Sequence, residues 1–583
     1  MRGQKTSLRL TVGSAIGLGV LLLLMPASAG AAVESLGAVF LPDLHPSFPW
    51  TEGAKGLENW YREDYVAAGL VRLSVRNGGP EAVSAVSATV DGRDYAAFKT
   101  IKGQPVAWWR MRPAPLPPGH CGIVEVRLRE PPKDPLPVQV EFTDGQSLRW
   151  QVQPRQPLVR LGRICFRPGT GPAGLASRAA GEMAPPDPLA SSDAAQVMLW
   201  CLAPRPLPGP LALMVDGKTI EPGDRLQVLG PWRSTLLLVY RPPGPLKYGS
   251  FHHYAVTLGG RLLDAAVVRT RDDFLPLGTY GYVTPRDYAT NSLNLYVSFG
   301  MLGKGSLDNL AAYGIRGVTR VAGLPDGGEG PSSATRGHRD IWAYYLHDEP
   351  DCADYGVRDL PHKVRIGTHA MQMAARERNC YRLEPDKLTY LTLDQTYKPA
   401  NWFHYGPIAD VCATDHYPPP GREKDVFSTV ETCRWACAPQ MEVFIFRAWW
   451  PEPTKPREGQ DRGRMMFAGE ERLHLGWALA GGAQGFVCYI HCTERAGDKI
   501  FHGAGEFPDV WHAIGQMYRE MGLVAPVLAA GWPVDGAVRA PDGVFARALA
   551  APEGLVLVAI NETGCRSTKD DFIARPARKV RLT

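Results

Sequence analysis

The spacing of apolar positions changes character twice along this chain. Up to about residue 273 it has the period of two that half-buried strands need, because successive side chains of a strand face opposite sides. Residues 71–75 alternate before the turn at Asn77-Gly78-Gly79, and 88–90 run into Asp91-Gly92. Residues 138–142 and 147–152 flank Asp144-Gly145, a hairpin dipeptide. The same order then recurs. Residues 211–215 lead into Asp216-Gly217, 234–240 parallel 122–128, and 253–258 with 262–268 flank Gly259-Gly260. This predicts a tandem pair of β-sandwich, Ig-like modules over 35–155 and 156–273, with a loop or linker rich in Gly, Pro, Ala and Ser at 169–193.

From about residue 275 short unbroken apolar runs alternate with stretches of helical period, the mark of a parallel sheet covered on both faces. Runs at 277–283, 315–321, 341–346, 388–393, 411–414, 443–448 and 486–490, with an eighth at 293–299, predict strands. Helices are predicted at 306–313, with Ser306 as N-cap, and at 361–380, 425–437, 468–480 and 508–522. Together they predict a (β/α)8, TIM-type barrel over 275–530. Between 321 and 341 the chain is mostly Gly, Pro, Ser and charged residues, so one βα unit is predicted to be shortened. After 531 alternation returns at 543–548, 554–560 and 579–582, a small C-terminal β module over 531–583.

At 583 residues the chain is long enough for several domains. A net charge of +5, with no Lys/Arg-rich run, argues against nucleic acid as a partner. Arg2, Lys5 and Arg9 precede an apolar segment at 10–25 and then small residues around Ala29 and Ala31. That order predicts a signal peptide over 1–31 and a secreted, periplasmic or cell-surface protein with no membrane attachment after cleavage. The apolar segment is shorter than the roughly 20 residues that a span needs. Eleven cysteines permit disulfides in an exported chain but are too sparse for a disulfide scaffold. Cys433 with Cys437, and Cys488 with Cys492, complete no recognisable ligand set, so neither a metal nor another cofactor is expected. The triplet Asn561-Glu562-Thr563 fits a glycosylation acceptor and reads more simply as a turn.

Parallel barrels place their chemistry at the carboxyl ends of the strands. Here the run at 341–346 stops in His347-Asp348-Glu349-Pro350, and adjacent carboxyls are costly to desolvate unless something uses or pairs them. Other predicted strand ends carry Asp394, Asp415-His416-Tyr417, Trp449-Trp450 with Glu452 beyond, and His491; the first strand adds Tyr280 and Tyr282. Aromatic faces stack on sugar C–H surfaces while carboxylates, imidazoles and indole N–H groups take the hydroxyls, so a carbohydrate is the expected partner. Of the adjacent tryptophans, one should face the mouth, since neighbours on a strand point opposite ways.

Three pieces carry a resemblance: Tyr345-Leu-His-Asp-Glu-Pro350, Asp410-Val-Cys-Ala-Thr-Asp-His-Tyr-Pro418, and Glu471-Arg-Leu with Ala478-Leu-Ala-Gly-Gly-Ala-Gln-Gly-Phe486. With them the chain resembles exported glycoside-hydrolase-like (β/α)8-barrel proteins of the broad retaining-glycosidase superfamily, over about 275–530. The resemblance implies Glu349 as acid/base at the end of the fourth strand. It also implies a glutamate ending the seventh strand, where this chain has Arg447, Trp449 and Trp450 instead. Glu452 and Asp415 are the possible second carboxylates. The expectation is a secreted glycoside hydrolase acting on a poly- or oligosaccharide. The alternative is a non-catalytic carbohydrate-binding or cell-surface protein with a degenerate barrel. No Gly-x-Ser-x-Gly, His-Glu-x-x-His or phosphate-cradling loop points to another hydrolase class.

Overall fold

The computed structural model describes residues 33–43, 68–94, 108–128, 132–155, 157–168, 193–203, 206–281, 283–355, 367, 369–394, 399–418, 421–453, 464–497, 499–562, 565–567, 572–574 and 582. The predicted signal peptide, most of the 169–193 segment, the predicted strand at 579–582 save one residue, and Thr563 lie outside them.

Among the described residues, sixteen strands form the N-terminal half. The first eight are β1 (Val33–Pro42), β2 (Gly69–Asn77), β3 (Ala85–Val90), β4 (Arg93–Asp94), β5 (Trp109–Arg112), β6 (Cys121–Arg127), β7 (Leu136–Phe142) and β8 (Ser147–Val152). They pair as two sheets, β1-β2-β6-β5 and β4-β3-β7-β8, around a core that includes Val71, Leu73, Val124, Val140 and Trp150. Next come β9 (Arg160–Pro168), β10 (Ala194–Leu202), β11 (Leu211–Val215), β12 (Lys218–Ile220), β13 (Leu226–Trp232), β14 (Thr235–Tyr240), β15 (Phe251–Leu258) and β16 (Arg261–Arg269). Their sheets, β9-β10-β14-β13 and β12-β11-β15-β16, repeat the first topology strand for strand. The turn residues Asp91 and Asp216 occupy equivalent places with φ of 51° and 48°, the left-handed backbone a tight hairpin requires.

Eight parallel strands then close into a barrel: Leu277–Tyr280, Leu295–Val297, Arg316–Arg320, Ile341–His347, Leu388–Asp394, Val411–Asp415, Met441–Arg447 and Phe486–Tyr489. The first pairs with the eighth through Leu277 and Phe486, which completes the ring. Helices Lys304–Ala311, Ala370–Leu383, Asp425–Cys437, Ala468–Gly481 and Pro508–Leu523 stand outside it. The first of these starts two residues before Ser306, with Gly303 as its cap residue. Between Arg320 and Ile341 a short antiparallel pair, Ala322–Gly323 with Glu329–Gly330, stands where a helix would be. A three-stranded sheet, Trp532–Val534, Val544–Ala551 and Gly554–Asn561, follows the barrel.

The sandwiches dock on the amino-terminal side of the barrel. Arg110 donates to the carbonyls of Ile408 (2.8 Å) and Pro407 (2.5 Å), just before the sixth strand. Arg72 donates to the carbonyl of Ala438 (3.1 Å), just before the seventh, and Trp108 Nε1 to that of His404 (2.8 Å). Arg269 pairs with the buried carboxylate of Asp410. These guanidinium groups satisfy carbonyls that close packing takes from water. The carboxyl ends of the strands face away from this interface. Among the described residues, no helix is long and apolar enough to cross a membrane.

Candidate active site

Alternation along the barrel strands decides which end residues point inward. Val411 and Ala413 pack inside the barrel, so Asp415, two residues on and 4% exposed, faces the same way. Leu388 and Tyr390 likewise direct Thr392 and Asp394 inward. The fourth strand ends at His347, and Glu349 follows with φ of 44°. A non-glycine residue there stores roughly 1–3 kcal/mol of strain, which the surroundings must hold in place. They do so with the Glu349 N–H donating to the Thr392 carbonyl (3.1 Å) and the Glu349 carbonyl accepting from Cys352 N–H (3.1 Å).

Five acids gather where the fourth, fifth and sixth strands end. Burial, then a hydrogen bond to Glu349 and its charge, push the Asp415 carboxyl well above the usual range, with Asp394 and Asp348 adding to it. The Asp348 carboxyl at the rim is pushed up to about 6 by desolvation and next by Glu349. The Tyr345 hydroxyl donates to Asp348 Oδ1 (2.5 Å) and meets Thr392 Oγ1 at 2.7 Å, with the Tyr280 hydroxyl 3.2 Å from the same oxygen. Asp351 is fully buried and raised well above its usual range by that burial and then by Asp394. Cys352 Sγ lies 2.9 Å from Asp394 Oδ2.

An aromatic wall borders the acids. Phe299 stacks on Tyr280 at 4.7 Å and Tyr489 meets Tyr280 edge-on at 5.7 Å. Tyr417 stacks with Tyr489 at 6.3 Å and meets the Trp449 ring edge-on at 5.9 Å. Phe299, Tyr417, Trp449 and Tyr489 remain partly exposed at the mouth. The seventh strand ends in Arg447, whose guanidinium lies over Trp449 at 4.5 Å and donates to the Trp449 carbonyl (3.0 Å).

The predicted residues divide into those at this mouth and those apart from it. Glu349, Asp348, Asp394, Asp415, Tyr280, Tyr417 and Trp449 come together as described. His347 is at the rim, its Nδ1 2.6 Å from the Asp348 carbonyl, and burial lowers its pKa. His416 points into the barrel wall, 2% exposed, with Nδ1 2.8 Å from Thr429 Oγ1, and burial takes it down to about 3. Glu452 lies in a separate three-stranded sheet (Trp449–Pro453, Lys499–Gly503, Glu494–Ala496), with its Oε2 2.9 Å from His502 Nε2. Trp450 stacks on that same His502 at 5.0 Å, away from Trp449. His491 packs edge-on to Trp511 at 4.4 Å. Tyr282 lies outside the described residues. Sequence reasoning missed Phe299, Thr392, Tyr489, Asp351 and Cys352. Alternation back from Asp394 would have found Thr392, and a search two and three residues past Glu349 the other acid and the thiol.

Fold and mouth together define a multidomain (β/α)8-barrel protein whose strand ends carry a carboxyl cluster beside an aromatic wall. No protein-family model matches the chain, and no curated protein matches it. Solved structures that it resembles include a GH2 beta-galacturonidase from Eisenbergiella tayi, at 10% identity and a TM-score of 0.28, over 84% of this chain and 96% of that one. A beta-galactosidase from Bacillus circulans sp. alkalophilus overlaps at 11% identity and 0.33, over 44% and 57% of the two chains. A beta-glucuronidase from Parabacteroides merdae does so at 10% and 0.23, over 80% and 70%. The strand pairing above establishes the fold independently of these overlaps.

Proposed function

We propose that the chain is an exported glycoside hydrolase acting on a poly- or oligosaccharide, with Glu349 delivering the proton to the leaving oxygen and Asp415 as its partner carboxyl. The observation that supports this most is the gathering of Glu349, Asp394 and Asp415 at neighbouring strand ends beside a partly exposed aromatic wall. Cleaving a glycosidic bond needs one carboxyl that is protonated at working pH and a second that is ionised. A pair holding a single proton supplies both forms, because burial and mutual repulsion prevent both from ionising together. In this reading Glu349 carries the proton and Asp415 the charge once substrate is bound. Asp394, on the neighbouring strand end, is the other base within the cluster. The basic and apolar start of the chain, at 1–31, supports export.

The test is hydrolysis of a panel of aryl glycosides and polysaccharides. Glu349→Gln should abolish turnover of whatever the wild type cleaves, while binding persists. Undiminished turnover by that variant removes Glu349 from the role. A second reading, a non-catalytic sugar-binding barrel, is favoured by Arg447 standing where a nucleophile would end the seventh strand. Glycan-array binding with no turnover by the folded wild type decides for it.

A further inference from the structure

The chemistry at Glu349 includes a thiol that hydrolysis does not use. One carboxylate oxygen each of Glu349 and Asp394 and the Sγ of Cys352 all lie within 4.8 Å of one another. The closest pair, Cys352 Sγ and Asp394 Oδ2, is 2.9 Å apart. Acidic residues often cluster without a ligand, but two further oxygens here are buried with nothing to accept from. Asp415, 4% exposed and in contact with Glu349, has an Oδ1 with no hydrogen-bond partner among the described residues. Asp351, fully buried, receives the Asp394 N–H on Oδ1 (3.2 Å) and leaves Oδ2 without one. A buried carboxylate oxygen without a donor costs roughly 1–3 kcal/mol or more, and a cation among these groups removes that cost.

We propose that Glu349, Cys352 and Asp394 form a binding site for a thiophilic divalent cation of the zinc type, beside the buried Asp415. One sulfur and several oxygens suit zinc, whereas magnesium and calcium take oxygen alone. The spacing is also of the right order: bonds of about 2.0–2.3 Å need only a small inward movement of the donors. On binding, the Cys352 S–H bond breaks, its electron pair goes to the metal, and its proton passes to solvent. Uptake of metal therefore releases a proton. The backbone already fixes the approach, because Cys352 N–H holds the Glu349 carbonyl at 3.1 Å.

This site shares Glu349 with the proposed hydrolysis but rests on a different observation, the spacing of its donors. Metal binding is read without substrate, and a cation on Glu349 would compete with its role as acid, so failure of either reading leaves the other in place. The full chain, cleared with chelator, is titrated with zinc by calorimetry in two buffers of different ionisation enthalpy. One zinc per chain with proton release is expected. Cys352→Ser and Asp394→Asn should each weaken binding by at least roughly tenfold, the lower end of what losing even a supporting partner costs. Cobalt added to the wild type should give a sulfur-to-cobalt charge-transfer absorption. The cobalt spectrum uses the wild type alone, so it decides the matter even if the variants misfold. Absence of that absorption, failure of the folded wild type to bind zinc, or binding undiminished in both variants overturns the proposal.

Discussion

Replacing Asp415 by Asn removes the carboxyl that the native mouth has to keep protonated, and leaves an amide that can still donate to Glu349. In the unfolded chain an aspartate ionises near about 3.9. In the fold, burial and then Glu349 hold the Asp415 carboxyl well above that. Over the interval between the two values the native state carries a proton that the unfolded state has released, so stability falls as pH rises. One proton corresponds to about 1.4 kcal/mol per pH unit over the interval in which the native state keeps it, against the roughly 5–15 kcal/mol typical of a folded domain. The buried histidines act with the opposite sign. Burial lowers His253 to about 4, His416 to about 3 and His474 to about 4, so their protonation in the unfolded chain makes stability rise with pH up to about 6.5. The informative quantity is therefore the difference between wild type and Asp415→Asn, measured by urea unfolding at a series of pH values. The variant should gain on the wild type by about 1.4 kcal/mol for each unit of rising pH, and should lose turnover. Parallel stability curves above about pH 4 would refute the raised Asp415 carboxyl.

Two further outcomes follow from the docking interface and from the separate sheet above the seventh strand. Arg110→Met should cost about 3–5 kcal/mol in urea unfolding, because it strands the Pro407 and Ile408 carbonyls and takes one partner from the buried Glu125. Burial pushes Glu125 up, but Arg110, Arg72 and Arg112 together hold it down to about 2. Its contribution of about 3 kcal/mol is present above about pH 4.3 and lost as pH falls through 2, so the variant's acid limb should be shallower. Glu452→Gln should leave any hydrolysis unchanged, since Glu452 pairs with His502 rather than with the acid cluster. The His502 titration, raised by the Glu452 hydrogen bond, should move down when followed by NMR.

How far the fold could be read in advance depended on whether a feature is local. Alternation and turn dipeptides are local, and both sandwiches follow them, down to the matching left-handed turns at Asp91 and Asp216. The missing helix between Arg320 and Ile341 was equally legible, because a stretch of Gly, Pro and Ser has no apolar stripe to bury. The cap of helix Lys304–Ala311 was not: a serine side chain competes for backbone N–H groups wherever it sits, and here Gly303 takes the position instead. The interface arginines were hidden for a different reason. Arg72 and Arg110 stand on strands whose alternation says nothing about what covers that face, and it is the barrel, distant in sequence, that buries them.

The mouth shows the same limit, with consequences for chemistry. Period-two spacing decides that Asp415 and Asp394 face inward, because Ala413 and Thr392 precede them on the same strands. It cannot tell which of several inward acids touches Glu349, since that is fixed by pairing across neighbouring strands. Asp394 stands opposite Asp415 in the ladder, and the fourth strand slips register between Tyr345 and His347 against the fifth. That irregularity, followed by the left-handed backbone at Glu349, turns the glutamate onto Asp415 and brings Cys352 around to Asp394. An acid chosen for its place at a strand end, such as Glu452, is aimed elsewhere because a new sheet begins at Trp449. Which carboxyls meet therefore depends on a one-residue slip between two strands, and restoring regular pairing there should disperse the cluster even with every acid retained.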